Sequence, residues 1–72
     1  MSDYVEYDKS ETVRLEIWET SEAKRPGYCK WQVVKREPET KTWQIIERCQ
    51  RYETFDIALI VGQKALARAV PQ

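Results

Sequence analysis

Cys29, Cys49, Glu16 and Glu47 are the residues from which a reaction centre in this chain would have to be assembled. Histidine is absent, so a cysteine or serine nucleophile would need lysine or a carboxylate as its base. Structural zinc takes four ligands in short paired spacings, which two distant thiols cannot supply. Glu16 and Glu47 could work as an acid–base pair only if a cleft brought them together. Gly27 and Gly62 are the only glycines, too few and too far apart for a phosphate-cradling loop. The expectation is a chain with no catalytic residues, no metal and no cofactor.

The elements that would position these side chains follow from periodicity. With 72 residues the chain has room for one compact core. Residues 12–72 are expected to form a single small α+β domain. Residues 1–11 are acidic and lack a clear period, and are expected to be a flexible arm, or at most a short extra strand carrying Tyr4 and Val5. Val13, Leu15 and Ile17 alternate with Arg14, Glu16 and Trp18, the mark of a half-buried strand. Pro26-Gly27 suits the centre of a type II turn. A second strand over 28–35 places Cys29, Trp31 and Val33 inward. A third over 42–52 does the same with Trp43, Ile45 and Cys49.

The loop between the second and third strands sets their register. Three loop residues, 38–40, pair Glu37 with Lys41, Val33 with Ile45 and Cys29 with Cys49. That pairing also sets Lys30 against Arg48 and Trp31 against Glu47, both unfavourable. A one-residue slip would pair Lys30 with Glu47, but would turn Trp43 and Ile45 away from Trp31 and Val33.

From Thr54 the period becomes helical. Thr54 can cap the helix, Asp56 sits in the first turn, and Pro71 can mark the stop. Phe55, Ala58, Leu59, Gly62, Leu66, Ala69 and Val70 share one stripe. Ile57, Ile60 and Val61 widen the apolar arc beyond it. Gly62 costs about 1 kcal/mol relative to alanine in a helix interior, which implies a close approach by a neighbour. The fold expected is a three-stranded antiparallel meander packed on one face by a C-terminal helix.

The sheet face away from that helix then carries Arg14, Glu16, Trp18, Tyr28, Lys30, Gln32, Val34, Arg36, Gln44, Ile46, Arg48, Gln50 and Tyr52. Trp18, Tyr28, Val34 and Ile46 make it apolar for a wet face and point to a protein contact, helped by Ile60 and Val61 on the helix. The partner would be another protein or a second copy of the chain. The alternative is nucleic acid, held by Arg14, Lys30, Arg36 and Arg48 between aromatics that could stack on bases.

Charge weighs on that choice. Twelve basic and twelve acidic residues cancel, but residues 1–22 carry a net −5 and residues 23–51 a net +5. A dipolar surface is one outcome, and mutual neutralisation in the fold is the other. The acidic arm could also occupy a basic groove on another protein. The N-terminus has no basic or apolar signal-like segment, and no apolar run approaches the roughly 20 residues needed to cross a bilayer. A cytoplasmic location is expected, without membrane contact.

The run Tyr52-Glu53-Thr54-Phe55-Asp56-Ile57-Ala58 is similar to the start of the helix in the arm-type DNA-binding domains of tyrosine integrases. That resemblance implies a sheet in the major groove with Lys30, Arg36 and Arg48 on phosphates. Zero net charge, and Glu16 and Glu47 among the bases, depart from such a binder. The run alone does not assign the chain to that family.

Overall fold

The computed structural model describes residues 3–70. An antiparallel sheet is formed by β1 (Tyr4–Tyr7), β2 (Val13–Glu19), β3 (Tyr28–Arg36) and β4 (Trp43–Arg48) in that order. A two-residue β5 (Glu53–Thr54) pairs with the start of β3, on the edge that β4 occupies further along. It leads directly into α1 (Phe55–Ala69), which packs on one face of the sheet. The antiparallel sheet under a C-terminal helix is as expected from the sequence, with β1 and β5 added to the three strands.

Alternation places the core. Val13, Leu15 and Ile17 of β2 and Cys29, Trp31 and Val33 of β3 are buried against Ala58, Ala65 and Leu66 of α1. Small residues let the helix lie close. A Cβ at Gly62 would sit 2.6 Å from a Leu15 methyl carbon, so the close approach is to a core side chain. Thr54 occupies the position before the helix in an extended conformation, but its hydroxyl makes no capping bond. Pro71 lies outside the described residues; α1 ends at Ala69, and Val70 is extended.

Turn chemistry accounts for the connections. Gly27 has φ +82°, the value a type II turn requires at its third residue, and its N–H donates to a Glu19 carboxylate oxygen at 2.8 Å. Between β1 and β2, Asp8 accepts from the Val13 N–H at 3.1 Å and the Ser10 hydroxyl at 2.7 Å. That turn brings the first residues back alongside β2. Tyr4–Tyr7, in the stretch expected to be a flexible arm or at most a short extra strand carrying Tyr4 and Val5, is an edge strand in register with residues 14–17.

The expected register between β3 and β4 is not the one found. The loop has four residues, with the Glu37 N–H donating to the Thr42 carbonyl at 2.7 Å and Lys41 at φ 59°. Val34 therefore pairs with Ile45, and Arg36 with Trp43. A bulge then leaves Ile46 without a partner, and Val33 pairs with Glu47. The extra residue flips the strand between its halves. Trp43 and Ile45, expected inward, lie on the face away from α1, while Glu47 and Cys49 lie on the helix side.

Cys29 pairs with Glu19 and Glu53, and the Cys49 N–H donates to the Trp31 carbonyl at 3.0 Å. The two thiols are thus offset along the sheet, out of the direct opposition a cross-strand disulfide needs. Mild oxidation of the folded chain is expected to leave both as thiols. An intact mass showing an internal disulfide would contradict this register.

Candidate functional site

The face away from α1 has a cation at its centre. Arg14 points out of β2, and its guanidinium carbon lies 4.0 Å from the centroid of the Trp43 ring. The Trp43 side chain leans from β4 over β3, so that its ring stands 6.4 Å from that of Tyr7 on β1 at 66°. Arg14 donates to the Tyr7 hydroxyl at 3.2 Å and pairs with Glu16 at 2.7 Å. Glu16 also accepts from the Gln32 amide at 2.7 Å. The Arg14 Nε is buried and has no hydrogen-bond partner among the described residues.

This stack has a consequence for Val34. Although it faces away from the helix, it is 3% exposed, flanked by Arg14 and Ile45 in the register. It is a small second core and cannot anchor a partner as expected. The exposed apolar surface lies around it instead: Tyr7 is 49% and Ile45 53% exposed, with Val5 beside Glu16 at the β1 edge.

The other end of the face is more polar. Where β4 leaves β3, an open depression of about 590 Å³ is lined by Trp18, Lys30, Gln32, Arg48 and Gln50, together with Trp31 and Cys49. Lys30 pairs with Glu22 at 2.7 Å, and the Tyr52 hydroxyl donates to the same carboxylate at 3.1 Å. Glu22 holds the Lys30 ammonium more basic than usual, and the hydrogen bond to Glu22 raises the Tyr52 phenol. Tyr28 lies on the same face, near Arg25 at 5.8 Å. Of the four bases expected to serve nucleic acid, Arg14 and Lys30 are paired with carboxylates. Arg36 and Arg48 have no ion-pair partner among the described residues.

Not all of the expected residues come together. Ile46 is exposed at the bulge. Ile60 and Val61 are on α1, the opposite layer. Glu16 and Glu47 are separated by the sheet itself, since Glu47 is on the helix side and pairs with Arg68 at 2.8 Å. Among the described residues no group of His, Cys, Asp and Glu could hold a metal ion. The Cys29 thiol is pushed up by burial, which works against a thiolate nucleophile. Among the described residues no helix is long and apolar enough to cross a membrane.

Tyr7, Trp43 and Ile45 were missed. The adjacent pair Ile45-Ile46 was the available signal, because strict alternation cannot place both on one face of a strand.

On the helix side, β1 is fastened by one carboxylate. Glu6 accepts from the Tyr4 hydroxyl at 2.6 Å and from Gln63 of α1 at 2.9 Å. These bonds, the Tyr4 one foremost, hold the Glu6 carboxyl below its usual range, and the Ser10 hydroxyl does the same for Asp8. Lowered folded values stabilise the fold above the unfolded carboxylate pKa of about 4 and lose that contribution as pH falls through the folded values. Acid titration is expected to loosen β1 first, with Glu6→Gln flattening that dependence and costing up to about 1 kcal/mol at neutral pH. Amide exchange of residues 4–7 against pH reads it out.

Comparison with known protein families, with curated proteins and with solved structures gives no match to this chain.

Proposed function

We propose that this chain is a small non-enzymatic protein-interaction module, adaptor- or inhibitor-like, which binds another protein through the sheet face turned away from α1. The observation that carries the reading is the Tyr7–Arg14–Trp43 stack beside exposed Ile45. An antiparallel sheet with one wet face usually alternates apolar-in and polar-out. Here aromatic and aliphatic side chains gather on the wet side, around a cation already oriented by Glu16. Binding energy at protein interfaces concentrates in such aromatics and arginines. Arg36 and Arg48 lie on the same face without ion-pair partners among the described residues, so the complementary surface is apolar at its centre and carries carboxylates at its edge.

The nucleic-acid alternative has less support. Affinity for nucleic acid comes largely from neutralised phosphates, and Glu16 and Glu22 already hold two of the four bases. The test is capture from a lysate of the source organism, with nuclease added, using the wild-type chain beside Trp43→Ala. A defined protein retained by the former and lost by the latter supports the reading. Recovery that collapses on nuclease treatment, or weakens steeply with salt, would shift it to nucleic acid.

A further inference from the structure

We infer that the chain self-associates as an antiparallel two-fold dimer through the outer face of α1. That layer is opposite the proposed partner-binding face, so the inference stands independently of the proposed function. The buried stripe of the helix runs through Ala58, Gly62, Ala65 and Leu66. Its outward side would ordinarily be polar. Instead Ile57 and Ile60 are exposed there, with Val61 at the flank beside the β4 edge of the sheet, and Ile60, at 56%, is the most exposed large apolar residue described.

Charge selects the occupant. Asp56 and Lys64 lie four residues before and after Ile60, one on each side of it around the helix. They are about 12 Å apart along the axis, too far to pair with each other, and neither has an ion-pair partner among the described residues. A two-fold axis through Ile60 solves both problems. It sets Ile60 against its own copy, Asp56 against Lys64 of the second copy, and Lys64 against Asp56 of that copy. The helix dipoles then run antiparallel, with each acidic first turn beside a basic later turn.

Two apolar side chains per copy, Ile57 and Ile60, and two exposed ion pairs make a contact smaller than the standard interface of about 800 Å² per partner. A weak dimer follows, populated only at high chain concentration. It would present two sheet faces outward, and a partner with repeated sites would gain avidity from both.

Sedimentation equilibrium of the full chain up to about 1 mM tests this, with circular dichroism confirming each variant as folded. Wild type is expected to dimerise, and Ile60→Asp to remain monomeric. Asp56→Lys and Lys64→Asp are each expected to weaken association roughly tenfold or more by juxtaposing like charges. Their equimolar mixture should restore it, since both pairs become attractive in the heterodimer. Trp43→Ala should dimerise normally. A wild-type monomer at the highest concentration, a dimer that survives Ile60→Asp, or charge variants that the mixture fails to rescue would each overturn the inference. A dimer abolished by Trp43→Ala and untouched by Ile60→Asp would do so as well, by assigning self-contact to the sheet.

Discussion

Leu15→Ala is expected to cost about 2–5 kcal/mol, the range for emptying a fully buried leucine site. A domain of this size has about 4–11 kcal/mol in total, so one substitution removes a large share. The reason lies in what surrounds the side chain. Leu15 has no exposed surface and sits at the middle of β2, under Gly62 of α1. The helix residue directly over it is Gly62, and Ala58 and Ala65 of the same buried cluster are also short, so little side chain is at hand to fill the space it would leave. Relaxation would require the helix itself to sink into the sheet. Urea unfolding measures the effect as a lower midpoint with an unchanged slope, and the melting temperature should fall by about 10 °C or more. Ile45→Ala, on the exposed face, is the control and should cost less than about 1 kcal/mol. Equal losses in the two variants would contradict the assignment of faces.

Trp43→Ala is expected to separate binding from stability in the opposite way. Its ring leans across β3 onto Arg14, outside the core formed with α1. Truncation should therefore leave the fold in place, at a smaller cost than Leu15→Ala. Partner affinity should fall by about 2 kcal/mol or more, roughly thirtyfold, as for an interface residue that fills a pocket on the other side. Part of that loss would come through Arg14, which would lose the ring that orients it. Trp43→Phe should retain more affinity than Trp43→Ala because a smaller aromatic face still covers the guanidinium. Titration of the captured partner against each folded variant provides the comparison. Unchanged affinity in Trp43→Ala would show that the stack is structural.

The half of the molecule built from β2, β3 and α1 was legible because each element has one unbroken period. Val13, Leu15 and Ile17 alternate without interruption, Pro26-Gly27 has one favourable conformation, and the small residues of the helix stripe permit close packing. These patterns also placed Arg14, Trp18, Lys30 and Gln32 on the open face. The β4 half was not legible, since a bulge obeys the local preferences of both flanking segments while inverting one against the other. Glu47 appeared as a cost in the expected register. On the helix side, at the edge of the sheet, it finds Arg68, and the cost is relieved by an element far away in sequence. The strand β1 was obscured by its charges. Glu6 faces the helix and is satisfied by Tyr4 and by Gln63, a pairing that no window of neighbouring residues contains.

The most direct test of the sheet face as a protein-binding surface is photo-crosslinking, with a photoreactive side chain at Ile45 and, in a second protein, at Lys41 in the β3–β4 turn. Both positions are exposed and differ in whether they lie on the face. Irradiation in a nuclease-treated lysate of the source organism is expected to give a defined protein adduct from position 45, absent from position 41 and abolished by Trp43→Ala. Equal adducts from both positions, or none from position 45, would contradict the proposal that this face binds a protein.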